Sequence, residues 1–197
     1  EGKTVVYVAV DEEVLGLIAL MDIPSEHAKA TIEYFRKQGI HTTLITGDSE
    51  MTGKAVAKQL GIDEVIANVM PEDKSRIIDE QKEKYGVTAM VGDGVNDAPA
   101  LVNADVGIAM GDGTDVAVEV SDLVLMQNNL SKLVQSHNIS SKMNRVIWQN
   151  IIFSMAVVAF LIVVSFLGLT DIAISVIIHE GSTLVVILNG LRLLRAV

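Results

Sequence analysis

Asp93, Asn96 and Asp97 fall within one ten-residue string, Met90-Val91-Gly92-Asp93-Gly94-Val95-Asn96-Asp97-Ala98-Pro99, in which an apolar stretch runs into a loop of two carboxylates, two glycines and a carboxamide. Such a loop suits phosphate and magnesium, because Asp93 and Asp97 offer the hard oxygen ligands that Mg²⁺ takes while it keeps waters and substrate phosphate oxygens. Gly-Asp-Gly alone is an ordinary turn; the whole string is a far more specific signal. Thr46-Gly47-Asp48 places a hydroxyl and a flexible glycine after another apolar stretch, where a phosphoryl oxygen would bind or the chain would merely turn. Met70-Pro71-Glu72-Asp73-Lys74 opens a charged helix with Pro in its first turn. Lys74 thus stands near a helix start, as a point charge for a phosphate or as a solvated surface lysine.

Positioning these residues requires strands that end at the loops. Residues 87–91 read as a short buried strand, Gly92 and Gly94 as the means of a tight turn, and Pro99 as the first turn of the next helix. Residues 42–45 form a strand that empties into Thr46. Further strands are expected at 4–10, 14–20, 65–67, 106–110 and 123–126. Helices are expected from Pro24-Ser25 to Gln38, stopped by Gly39, from 50 to 60, and from Lys74 onward. Strands alternating with helices predict an α/β domain with a doubly wound parallel sheet, whose ligands sit at the carboxyl ends of strands. Gly111-Asp112-Gly113 is either a plain turn or a support at the rim of the Asp93 loop, and His27, His41 and His137 read as surface side chains.

The second half of the chain is of another kind. The 197 residues are 50 % hydrophobic, yet the net charge of −10 belongs to the first 145 or so. An acidic surface argues against a nucleic-acid partner, and without cysteine the chain makes no disulfide and no thiolate metal site. From about residue 130 the pattern is helical into an apolar run at 147–169, and a second run covers 172–194. Each is long enough to cross a hydrocarbon core of ~30 Å, so a transmembrane helical hairpin is expected, with a buried helical pair in a soluble protein as the alternative. Lys132, Lys142 and Arg145 precede the first run, Arg192 and Arg195 close the second, and the turn between them has no Lys or Arg. The positive-inside rule then puts the soluble domain in the cytoplasm. His179, Glu180, Ser182 and Thr183 lie in the second run. An intramembrane carboxylate beside an imidazole is costly unless it faces protein, water or an ion, so His179 and Glu180 are expected to bind or gate a cation, with a purely structural role as the alternative. Imidazole, carboxylate and hydroxyl suit borderline divalent ions such as Fe²⁺, Co²⁺ or Zn²⁺ better than Cu⁺. Asn150 and Asn189 are further polar candidates, which interhelical hydrogen bonding explains equally well.

The strings ITGD, MPEDKSRII and MVGDGVNDAPAL resemble the phosphorylation-domain motifs of the P-type ATPases, whose phosphorylation domain is of the haloacid dehalogenase superfamily. The resemblance covers nearly the whole chain and implies ATP and Mg²⁺ as cofactors. By it, the Thr46-Gly47-Asp48 loop contacts an aspartyl-phosphate through Thr46, Lys74 neutralises that phosphate, Asp93 ligates Mg²⁺, and Asn96 with Asp97 completes the phosphate and metal shell. The family's nucleophile is the Asp of an Asp-Lys-Thr-Gly-Thr motif. No such string occurs here, so the chain alone is expected to be inactive and to need the remaining amino-terminal part of the pump. HEGSTLVVILNGLRLL resembles the last membrane helix of heavy-metal pumps, most of all the cobalt-type subgroup, with Ser182 where that subgroup usually has Gly. Carried over, His179, Glu180 and Thr183 are transport-site positions for an exported Co, Zn, Fe or Cd ion. The implied organisation is the end of a nucleotide-binding insert and the return from it at 1–22, the carboxyl-terminal part of a phosphorylation domain at 23–130, and a linking helix with two spans at 131–197 in a multi-pass cell-membrane protein. A membrane-anchored phosphatase of the same superfamily and a non-enzymatic metal-binding membrane module are the other readings.

Overall fold

Strands and helices alternate along the first two thirds of the chain, as the periodicity predicts, in a computed structural model that describes residues 4–11, 13–20, 24–126 and 129–195. The expected boundary between residues 22 and 23 lies outside the described residues. Two compact units result, Glu1–Val134 and Gln135–Val197.

In the first unit, β1 (Thr4–Val10) and β2 (Glu13–Leu20) form an antiparallel hairpin whose apolar side chains, Val5, Tyr7, Leu15 and Leu17 among them, are exposed. Helix α1 (Ala28–Lys37) starts a turn later than Pro24-Ser25 suggests, because residues 25–28 close a hydrogen-bonded turn first, and Gly39 follows it at φ +76°. Next come β3 (Thr43–Ile45), α2 (Glu50–Leu60), β4 (Glu64–Ile66), a 3-10 turn at Pro71–Asp73, α3 (Lys74–Tyr85) and β5 (Ala89–Gly92). A second 3-10 turn at Val95–Asp97 leads into α4 (Ala98–Asn103), β6 (Val106–Met110), α5 (Asp115–Val120) and β7 (Leu123–Leu125). Ser49 caps α2 by accepting the Thr52 N–H, and Gly61 ends it at φ +78°, the left-handed position that glycine adopts without strain.

Apart from the hairpin, every pairing among the described residues is parallel: β3 with β4, and β5 with β6 with β7. This is the α/β architecture expected, with the parallel strands paired in two sets. Leu101, Ala109 and Ala117 form a buried cluster against Met90, Val118 and Val120, while Ile77 and Ile78 bury the inner face of α3. Thr43 Oγ1 donates to Gln81 Oε1 at 2.9 Å and so ties β3 to α3.

The second unit holds most of α6 (Ser131–Phe166), α7 (Ile172–Leu191) and a closing 3-10 turn at Arg192–Arg195. Both helices are apolar with no buried residue, and at 36 and 20 residues they are long enough to cross a membrane. Helix α6 ends three residues short of the expected span because Gly168 takes φ +68°. Leu169 N–H then donates to Val164 O and Gly168 N–H to Ser165 O, each at 3.0 Å, which satisfies the last carbonyls of the helix.

Candidate functional site

The end of β5 and the 3-10 turn after it are knotted together by one carboxylate. Asp97 is 8 % exposed. Its Oδ1 accepts from Lys74 Nζ at 2.5 Å, and its Oδ2 accepts from the backbone N–H of Asp93 at 3.3 Å and of Gly94 at 3.4 Å. Asp93 and Asn96, by contrast, present their side chains to solvent from the same loop. With Lys74 and Asp97 side chains only 18 % and 11 % exposed, the ion pair is screened less than a surface pair. Lys74 reaches it because Pro71 starts a 3-10 turn that delivers the lysine at the first position of α3.

The glycines of this loop serve a different purpose from the tight turn expected of them. Neither Gly92 nor Gly94 has positive φ, and Gly94 sits in ordinary extended backbone at φ −112°. Gly92 supplies space instead: a Cβ there would lie 2.7 Å from Asp97 Cβ and 3.0 Å from its Oδ2. Gly113 does the same at the rim, where a Cβ would meet Met110 O at 2.7 Å and Asp93 O at 2.8 Å. Thr114 N–H donates to Asp93 O at 3.0 Å. The second Gly-Asp-Gly is therefore a support for the Asp93 loop, and Thr114 is a contributor that sequence reasoning missed; its only signal was adjacency to Gly113.

Thr46, Gly47 and Asp48 form their own preformed loop at the end of β3. Thr46 Oγ1 donates to Asp48 Oδ2 at 3.0 Å and accepts the Asp48 N–H at 3.1 Å. Backbone bonds from Thr46 to Ile66, Asn68 to Asp48 and Val69 to Thr46 fasten it to the segment after β4, with Asn68 at φ +55°. The structure thus brings Lys74 and Asp97 into direct contact and joins Asp93 to them through its backbone, while the Thr46 loop closes on itself. No group of three or more His, Cys, Asp or Glu that could hold a metal occurs among the described residues. The oxygen donors of the Asp93 loop fit Mg²⁺, which takes one or two carboxylates and fills its shell with water and phosphate oxygens.

Ionic contacts brace the strands that carry these loops. Asp105 accepts the Thr88 N–H at 2.8 Å and faces Lys82 at 3.2 Å, and these interactions hold its carboxyl below the usual range. Glu64 is lowered by Lys84 at 2.8 Å, with Tyr85 and His41 adding to it, and Asp63 by the Thr42 hydroxyl at 2.8 Å. His41 is on the surface as expected, but its ring stacks on Tyr85 at 4.0 Å and meets Glu64 at 3.3 Å.

In the second unit His179 Nδ1 lies 3.8 Å from Glu180 Oε1. Ser182 Oγ and Thr183 Oγ1 both donate back to His179 O, at 2.6 Å and 3.3 Å. His179 and Glu180 line a hollow of about 350 Å³ with Ser165, Thr170 and Ser175. Asn189 bonds to Asn150 across the helices, the interhelical role that stood as one of two readings.

Comparison with known proteins places these features in context. Residues 1–105 match the haloacid dehalogenase-like hydrolase family. A zinc-transporting ATPase of Bacillus subtilis (strain 168) is 52 % identical over 98 % of this chain and 30 % of its own length. A copper-exporting P-type ATPase of Staphylococcus haemolyticus (strain JCSC1435) is 41 % identical over 99 % of this chain and 24 % of its own. The crystal structure of a zinc-transporting PIB-type ATPase in its E2.Pi state superposes with a TM-score of 0.90 at 39 % identity, over 98 % of this chain and 32 % of that one. The chain thus spans under a third of the length of the first two relatives.

Proposed function

The chain belongs to the haloacid dehalogenase-like hydrolases, and from that premise we propose that it is the carboxyl-terminal part of a P-type ATPase that moves a divalent heavy-metal ion across the cell membrane. The observation that carries this reading is the presence, in one chain, of the Lys74–Asp97 pair beside an exposed Asp93 and of His179 with Glu180 on a membrane-length helix. Phosphate chemistry and an intramembrane cation site together call for a pump rather than for either function alone.

In this reading residues 1–22 close a nucleotide-binding insert, 23–130 belong to the phosphorylation domain and 131–197 carry the linking helix and two spans, with the first unit in the cytoplasm. ATP donates its γ-phosphate to a carboxylate outside this chain. Lys74, oriented by Asp97, offsets the negative charge that develops on the phosphoryl group. Thr46 offers a hydroxyl to a phosphoryl oxygen, with Gly47 letting it approach and Asp48 holding the loop, and Asn96 offers a carboxamide donor. Asp93, with Asp97, would hold Mg²⁺, which would supply Lewis-acid charge neutralisation when bound. His179, Glu180 and Thr183 bind the transported ion, whose class is a borderline divalent metal; the zinc transport named for two relatives falls within it.

The test is ATPase activity of the complete protein in lipid with Fe²⁺, Co²⁺, Zn²⁺, Cd²⁺ and Cu⁺, repeated with Glu180→Ala. Stimulation by one or two divalent ions, lost in the variant, is the expected result. Hydrolysis that ignores both metal and variant would replace the pump with a membrane-anchored phosphatase.

A further inference from the structure

Asn189 makes three side-chain contacts near the end of α7, where residues 184–188, 190 and 191 are apolar or small and Arg192 follows. Its Nδ2 donates to Asn150 Oδ1 at 2.9 Å and reaches Gln149 Oε1 at 3.4 Å, while its Oδ1 accepts from Arg192 Nη1 at 2.9 Å. The cluster sits at the open, charged end of the hairpin, where Asn189 donates to side-chain carbonyl oxygens of α6 and so links the two helices. At the opposite end the hairpin is closed by the turn around Gly168 and Thr170, where Ser175 Oγ bonds to Thr170 Oγ1. Helix α7 is therefore fastened to its surroundings at both ends. His179, Glu180 and Thr183 lie between the fastenings, where the Ser182 and Thr183 hydroxyls bond back to His179 O on their own helix.

We propose that Asn189 is a positioning residue for the cation site: through Asn150 and Gln149 it sets the rotation of α7 against α6, and with it the direction in which His179, Glu180 and Thr183 face. The separation along the axis, about 15 Å from His179 and about 9 Å from Thr183, is too great for Asn189 to touch an ion that those residues hold. It acts through the helix as a lever. Without the clamp α7 is held at the turn alone and can rotate about its own axis, so ligands on a face of a 3.6-residue helix lose their common direction. Helix α6 is unbroken from Ser131, so the same clamp makes α7 follow any displacement of α6. This inference rests on the transport reading above.

The experiment uses the complete protein in lipid vesicles with Zn²⁺ as the probe. Asn189→Leu, Asn150→Leu and the double variant are compared for the Zn²⁺ concentration that half-activates ATP hydrolysis, and for phosphoenzyme formed from inorganic phosphate and Mg²⁺ without Zn²⁺. The second measurement reports an intact phosphorylation site. Each single variant should keep that phosphoenzyme and raise the half-activating concentration about three- to twentyfold, the range of measured interhelical polar contacts. The double variant should be no worse than the singles. Asn150→Gln keeps a neutral carboxamide oxygen as acceptor for Asn189 and should leave activation close to wild type, which a general packing defect would not permit. Unchanged half-activation in Asn189→Leu, or fully additive losses, overturns the proposal. So does loss of the Zn²⁺-free phosphoenzyme in step with Zn²⁺ activation, because that is a folding defect. A wild-type protein that no ion in the panel stimulates fails the transport reading itself, a result separable from all of these.

Discussion

Gly92→Ala and Gly94→Ala differ by one methyl in the same loop and should have opposite consequences. At position 92 the new Cβ would stand 2.7 Å from Asp97 Cβ, against about 3.4 Å for an ordinary close contact, so one carbon must retreat by roughly 0.7 Å. Asp97 cannot yield freely, because both of its oxygens are engaged and its residue is buried. Overpacking of this kind costs about 1–3 kcal/mol, and the displacement falls on the carboxylate that holds Lys74. At position 94 the nearest atoms would be 3.8 and 3.9 Å away, and the backbone is one that alanine adopts readily. Its effect should stay within about 0.5 kcal/mol of zero, or be slightly stabilising through the unfolded chain. Urea midpoints followed by circular dichroism in detergent, at unchanged m, read the first effect. Phosphoenzyme yield of the complete protein reads the second, expected to fall about five- to a hundredfold for Gly92→Ala, one power of ten for each 1.4 kcal/mol lost in positioning. Equal behaviour of the two variants would refute the spatial argument and restore a conformational role for both glycines.

Lys74→Met should destabilise the first unit by up to about 3 kcal/mol, since it leaves a mostly buried carboxylate without its cation. Adding Asp97→Asn should recover much of that loss in the same urea assay, whereas losses that simply add would show the pair to be uncoupled. Stability should also fall on the acid side. Asp63, Glu64 and Asp105 have folded-state values below their ordinary ones, so their contribution is complete above the usual carboxylate range and disappears as pH drops through the lowered values. Asp105→Asn should flatten the urea midpoint between about pH 5 and pH 3 and leave the neutral-pH slope alone; an unaltered acid limb would remove Asp105 from the account.

What could be read in advance was chemistry tied to residue type. Hydroxyl, ammonium and carboxylates placed after apolar strands point to a phosphate site wherever the strands lie, and α/β alternation survives errors of two residues at element ends. Contact partners were another matter. The sequence shows Asp93 and Asp97 as equivalent carboxylates, but folding buries Asp97 on Lys74 and leaves Asp93 facing solvent, a distinction set by a helix start twenty-odd residues earlier. Glycine was misleading for a physical reason: the same residue supplies either a positive φ or an absent Cβ, and composition cannot separate the two. At Gly168 the first use applies, at Gly92 and Gly113 the second.

The same limit governs the membrane half. Hydropathy located both long apolar helices, and the expense of an intramembrane Glu180 singled out the residues proposed to bind the cation without any coordinates. Asn150 and Asn189 stayed ambiguous because a carboxamide suits an ion and a neighbouring helix equally, and only the 2.9 Å contact between them decides. That decision changes what the hairpin can do. With polar side chains fastening one end and the Gly168 turn the other, the proposed clamp would hold α7 to α6, and the proposed cation residues between the fastenings would move when α6 moves. The phosphate loop and the cation residues then need no direct contact to influence each other. Coupling requires only that phosphorylation favour one of two positions of α6, and that the metal favour the other.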